Sequence, residues 1–130
     1  MAKFGKKSKS KLVDADPRIQ EILNKAIEFY DFTILETHRT NERQDELYKA
    51  GKSKVKAGKS KHNTFPSKAV DIAPYPIDWN DLNRFVYLAG IIEAVSFELG
   101  YKIRWGGNWD MDGKIINDQS FDDLPHFEII

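Results

Sequence analysis

The chain has no cysteine in its 130 residues. That excludes disulfide bridges, thiolate metal sites and a cysteine nucleophile together. Histidine is scarce as well, with only His38, His62 and His126. Any metal must therefore be held by imidazole and carboxylate. No apolar run approaches the roughly 18 residues that cross a bilayer. The best candidate, Tyr87 to Val95, is interrupted by Gly90 and Glu93, so stable membrane association is not expected. An excess of one charge is missing too, since 20 basic side chains meet 20 acidic ones. With no global field and little interleaving of basic and aromatic residues, nucleic acid is not an expected partner. The basic stretch Met1 to Lys11 is not followed by an apolar core, so no secretory signal is read and synthesis in the cytoplasm is expected.

What is present is enough for one folded domain. Hydrophobic residues make up 41% and aromatics 12%, which suffices for a compact core. Residues 1–15 read as a basic, flexible N-terminal segment, and residues 16–130 as the domain proper. Lysines crowd that first segment and the stretch Lys49 to Lys61, while acids gather between Asp110 and Asp123. The lysine clusters are solubilising in the ordinary case, and could also attract an anionic polymer such as a bacterial wall.

Asp16-Pro17 predicts a capped helix start. Ile19, Ile22, Leu23, Ala26, Ile27 and Tyr30 then recur at helical spacing over 17–30. Phe32 to Thr37 suits a strand, Thr40 can cap a helix over 41–50, and Gly51 to Lys61 is a surface loop. Ala69 to Ala73 predicts a buried strand, ended by prolines. Asp78 would cap the longest helix, 79–99, with Leu82, Phe85, Leu88, Ala89, Ile92, Val95 and Leu99 as its core stripe. Short strands at Tyr101–Trp105 and Phe127–Ile130 complete the chain. Mixed helices and short strands without regular alternation favour an α+β domain.

Asp71 lies inside an otherwise apolar strand, where a carboxylate needs a cation or hydrogen bonds to compensate it. His62 precedes it by nine residues, and His126 begins the last strand. Two imidazoles and one carboxylate make a three-ligand zinc set that leaves a position for water. Asp123, three residues before His126, is placed to act as the base. Arg39, between a strand and a helix, is a charged partner for substrate or a developing oxyanion. Asp110-Met111-Asp112-Gly113 with Asp118 has a faint calcium-loop look, but lacks the regular ligand series of an EF-hand, so a polar loop is favoured.

Three ordered motifs resemble a known family. Ser60-Lys61-His62 followed by Ala69-Val70-Asp71 resembles the metal-binding signature of the zinc D-Ala-D-Ala carboxypeptidase and L-alanyl-D-glutamate peptidase family. Trp105-Gly106-Gly107-Asn108-Trp109 and Phe121-Asp122-Asp123-Leu124-Pro125-His126-Phe127 resemble its second signature. Thr37-His38-Arg39-Thr40 with Gln44, Leu47, Tyr48 and Gly51 resembles its upstream substrate-side motif. The similarity spans roughly residues 16–130.

The resemblance implies the hedgehog/DD-peptidase fold, a single domain with a small antiparallel sheet packed with helices. It implies Zn2+ on His62, Asp71 and His126, Asp123 as general base and Arg39 at the carbonyl oxygen or substrate. Gln44, Ser60, Trp105 and Trp109 are the implied substrate-binding residues, though core packing is an equal reading for the two tryptophans. The implied partner is the peptidoglycan stem peptide, cut by a monomer akin to small phage endolysins that are made in the host cytoplasm and act at the bacterial cell wall. The L-alanyl-D-glutamate bond comes first and D-alanyl-D-alanine second. A non-catalytic, zinc-containing wall-binding module is one rival, and a glycosidase using Glu36 and Glu42 is another. One departure stands out: the family spaces its first histidine and aspartate by seven residues, here by nine, with Asn63 to Ser67 lengthening the turn. The entrance to the site is expected to differ accordingly.

Overall fold

Alternation of apolar and charged residues along three strands splits the sheet into a core face and a polar face. Val70 and Ile72 flank Asp71, Phe127 separates His126 from Glu128, and Ile103 and Trp105 flank Arg104; all five apolar side chains are buried. The computed structural model describes residues 2–53, 55–109, 111 and 123–130. Its elements are α1 (Lys6–Leu12), α2 (Pro17–Ala26), β1 (Phe32–Glu36), α3 (Asn41–Lys49), a 3-10 turn (Lys61–Asn63), β2 (Ala69–Pro74), α4 (Leu82–Leu99), β3 (Ile103–Gly106) and β4 (Asp123–Ile129). The strands form one antiparallel sheet in the order β1-β2-β4-β3. The α+β expectation holds, as a single small domain of helices and a four-stranded antiparallel sheet.

Helices α2 and α4 supply the other half of the core. Ile19, Ile22, Leu23 and Ala26 from α2 are fully buried, as is Ile92 of α4, and they share one cluster with Leu88, Val70, Ile72 and Phe127. Asp16 caps α2, accepting from the Arg18 backbone N–H at 2.9 Å, and Pro17 follows in the first turn. Gly100 ends α4 at φ 84°, a left-handed position that glycine occupies without strain. The start of α4 differs from expectation. Asp78 instead closes a separate turn, its side chain accepting from Asn80 N–H at 3.0 Å, and the helix begins at Leu82. Leu82 is consequently 45% exposed and not part of the core stripe.

The largest correction concerns residues 1–15, whose first helix packs on β1. Phe4, Leu12 and Ala15 join the core. Ser8 Oγ accepts from Ile34 N–H at 3.0 Å, and Lys11 Nζ donates to the Leu35 carbonyl at 3.0 Å. These contacts occupy backbone groups on the outer edge of β1, which would otherwise template another strand. The expected boundary at residue 15 is crossed by backbone bonds from Ser67 N–H to Asp14 and from Asp16 N–H to Ser67, at 2.9 and 2.8 Å. No helix among the described residues is long and apolar enough to cross a membrane.

Candidate metal centre and its cleft

Strand register assembles the site. Asp71 on β2 lies directly opposite His126 on β4, and Glu36 on β1 lies opposite Asp71. The second pairing depends on a bulge in β1 between Ile34 and Glu36. Ile34 faces the core, and two residues on Glu36 would do the same. The extra residue turns Glu36 to the polar face. The third side chain, His62, arrives from the 3-10 turn, where Ser60 Oγ accepts from His62 N–H at 3.1 Å and Asn63 completes a reciprocal cap. The Arg39 N–H donates to the His62 carbonyl at 2.7 Å, tying that turn to the segment after β1.

Hydrogen bonds then set each imidazole. His62 Nδ1 sits 2.7 Å from the Thr37 carbonyl, which can only accept, so Nδ1 carries the proton and Nε2 offers a lone pair. His126 Nε2 sits 2.8 Å from Glu128 Oε1, so in the neutral ring Nε2 donates and Nδ1 offers a lone pair. Those two lone pairs and Asp71 Oδ1 converge, with separations of 3.2, 3.2 and 3.3 Å. Three electron-pair donors aimed at one point, with both outer nitrogens anchored, is an arrangement that a cation satisfies. His62, Asp71 and His126 are thus a candidate metal site.

The same convergence also attracts a proton. Burial works against the charged form of Asp71, but hydrogen bonds from His126 and His62 hold its carboxyl well below the usual range. Burial likewise opposes the imidazolium of His126, yet Asp71 and Glu128 push its pKa up to about 9. Glu128 is held at about 2 despite burial by its bonds to His126 and Arg104. Asp123 moves the other way, raised first by burial and then by the negative charge of Asp71.

An open cleft of about 740 Å³ lies over this cluster, with Asp123, Arg39, Ser60 and Trp109 in its walls. Asp123 pairs with Gly106 across β3 and β4, so tightly that a Cβ on Gly106 would fall 1.9 Å from the Asp123 carbonyl oxygen. Only glycine permits that approach. Arg39 is 9% exposed and largely committed: Nε and Nη2 grip Glu36 at 2.9 and 3.0 Å, Nη1 reaches Gln44 at 2.7 Å, and Nη2 reaches Asp71 Oδ2 at 3.5 Å. Its firmest holds are on Glu36 and Gln44, and it reaches the outer oxygen of Asp71 more loosely.

Two implied substrate contacts are corrected. Gln44 is fully buried and absent from the cleft wall. It links Arg39 to the lysine-rich loop by donating to Ser53 Oγ at 2.9 Å and to the Val55 carbonyl. Trp105 faces the core, 2% exposed, stacked on Phe127 and donating to the Leu124 carbonyl at 2.7 Å. Alternation along β3 puts it opposite in direction to Arg104. His38 bonds through Nδ1 with the Thr64 carbonyl and packs on Phe65, away from the cleft. The two additional residues between His62 and Asp71 are absorbed by the turn that Thr64 and Ser67 brace. Phe65 and Pro66 do not line the cleft. Glu36 is bound to Arg39 and Glu42 is exposed on α3, so they form no glycosidase pair. Asp110, Asp112 and Asp118 lie outside the described residues. Sequence reasoning missed Glu128, although a period of two in His126-Phe127-Glu128 places it on the same face as His126.

A small α+β domain with a candidate His-Asp-His cation site lining an open cleft has the build expected of a metal-dependent hydrolase. The profile described as phage L-alanyl-D-glutamate peptidase matches residues 1–130, and the chain belongs to that family. It is similar to the L-alanyl-D-glutamate peptidase of Escherichia phage T5, with 39% identity over 117 residues, covering 85% of this chain and 84% of the relative. Its fold is that of the crystal structure of the Serratia marcescens L-Ala D-Glu endopeptidase ChiX. The TM-score is 0.80 at 24% identity, over 98% of this chain and 89% of the other.

Proposed function

We propose that this chain is a zinc-dependent peptidase that hydrolyses the L-alanyl–D-glutamate bond of peptidoglycan stem peptides. The observation that carries it is the convergence of three ligand atoms with both imidazoles oriented from behind. Ligand bonds of about 2.0–2.1 Å around a tetrahedral ion require ligand separations of roughly 3.3 Å. The separations of 3.2 to 3.3 Å fit that ion. Zinc held there supplies Lewis acidity, lowering the pKa of a water and polarising the scissile carbonyl.

The remaining work belongs to the chain. Asp123, on the cleft wall beside the ligands, accepts the proton of the attacking water and returns it to the leaving amine. Its raised proton affinity suits both halves of that exchange. Arg39 keeps Asp71 turned toward the ion, and Glu128 does the same for His126. Family membership supplies the bond, since no residue in the cleft selects it by itself. The protein acts as a monomer on the bacterial wall after synthesis in the host cytoplasm, in the manner of a phage endolysin.

Digestion of purified peptidoglycan with and without a chelator tests this. A new free amine on D-glutamate, identified by mass and lost with the chelator, is the expected product. Release of free D-alanine would assign the D-alanyl-D-alanine bond instead, and an unchanged wall at stoichiometric zinc would sink the enzymatic reading.

A further inference from the structure

Among the described residues, five cationic side chains line the cleft against four carboxylates. Glu128 Oε1 is taken by His126, and Oε2 is shared by Arg104 Nη2 at 2.7 Å and Lys61 Nζ at 3.5 Å. With His126 neutral as a ligand, two full cations face one carboxylate. Of the other acids lining the cleft among the described residues, Glu36 is bound to Arg39, Asp71 belongs to the candidate metal site, and Asp123 is the base proposed above.

Arg104 is also held ready for a ligand. Its guanidinium lies over the Trp109 ring, 5.6 Å from the centroid, and that ring lies 5.2 Å from His126. Its buried Nε–H has no acceptor among the described residues. A buried donor left in that state is costly unless something completes it. Arg104 and Lys61 both line the cleft, and the side chain of each is 35% exposed. A guanidinium held over an aromatic ring, with an ammonium beside it, recognises a planar two-oxygen anion.

A stem peptide carries such an anion close to the bond to be cut. The glutamyl residue on the amine side of the scissile bond continues the stem through its side-chain carboxyl. Its α-carboxylate therefore stays free, one carbon from the scissile nitrogen. We propose that Arg104, assisted by Lys61, binds this α-carboxylate and makes the enzyme select stems that carry it over stems in which it is a carboxamide. This inference rests on the peptidase function proposed above.

The test uses two synthetic stem peptides that differ only in carboxylate or carboxamide at that position. The zinc-loaded wild type, Arg104→Gln and Lys61→Gln are compared by kcat/KM. Wild type should prefer the carboxylate by roughly ten- to hundredfold, the scale of a charge-assisted contact. In Arg104→Gln that ratio should collapse toward one, and in Lys61→Gln it should narrow by a smaller factor. Because Arg104 also supports Glu128, the ratio is the readout rather than the rate. A wild type indifferent to the two peptides overturns the inference. So does an Arg104→Gln enzyme that loses the same factor on both, which would reduce Arg104 to a support for Glu128. A wild type that cleaves neither peptide overturns the peptidase function, and this inference with it.

Discussion

Glu128 shows how much of a metal site lies behind its ligands. His126 offers Nδ1 to the centre only because Nε2 donates to Glu128, at 2.8 Å. Glu128→Gln replaces a charged acceptor with a neutral one in the same place. Metal affinity should fall by about 10- to 100-fold, read by competition against a chromophoric chelator. Asp123 should behave in the opposite way. Asp123→Asn should lower turnover by about 10²- to 10⁴-fold while zinc stoichiometry, measured by elemental analysis, stays at one. Loss of the metal in that variant would make Asp123 a ligand, and full activity would make it a turn residue. The three side chains of the candidate cluster were legible because imidazole is scarce and Asp71 interrupts an apolar strand. Gln44 and Trp105 were misread because membership of a motif does not say which way a side chain points. For Trp105 the alternation with Arg104 carried the answer. For Gln44 no local pattern could, since its partners Ser53 and Val55 sit in a loop without periodicity.

The elements were largely legible where apolar periodicity or capping marked them, as in α2 and β2. They were not legible where long-range contact decides. Nothing local in Lys6 to Leu12 announces that this lysine-rich helix covers the edge of β1. The bulge that turns Glu36 toward Arg39 is equally silent, because it shows only once β1 is in register with β2. Leu12 is 7% exposed in the cluster joining α1 to the core. Leu12→Ala should therefore cost about 2–3 kcal/mol in urea unfolding, and little or nothing if α1 were a loose extension. The start of α2 gives a pH-dependent case. Arg18, bonded to Asp16 at 2.8 and 2.9 Å, lowers the carboxyl below its ordinary 3.8. The cap thus contributes fully above about pH 4, and its contribution is lost as pH falls through the lower folded value. Asp16→Ala should cost about 1 kcal/mol at neutral pH, and the gap to wild type should shrink in acid. A gap that stays constant down to pH 2 would show that the carboxylate charge is not what stabilises the helix.

At the scale of the molecule, the candidate metal site and the hydrophobic core occupy opposite faces of one sheet. Val70, Ile72 and Phe127 belong to the core, while Asp71 and His126, their sequence neighbours, face the cleft. The core therefore does not need the ion to exist, which distinguishes this domain from small zinc-folded modules. The site nevertheless joins β2, β4 and the turn that carries His62, so binding should still reinforce the whole. At a free zinc concentration about 1,000 times Kd, linkage adds about 4 kcal/mol. For a domain of this size that corresponds to a Tm shift on the order of 10 °C. Chelation should thus lower Tm by that amount and abolish cleavage, while the far-ultraviolet circular dichroism at 25 °C stays native. Zinc should restore both. His62→Ala removes one ligand and breaks the bond to Thr37, so its Tm should be lower and should no longer respond to chelator. Wholesale unfolding on chelation would mean that the core alone cannot sustain the sheet. A wild-type Tm indifferent to chelation would mean that His62, Asp71 and His126 hold no ion, however well their lone pairs converge.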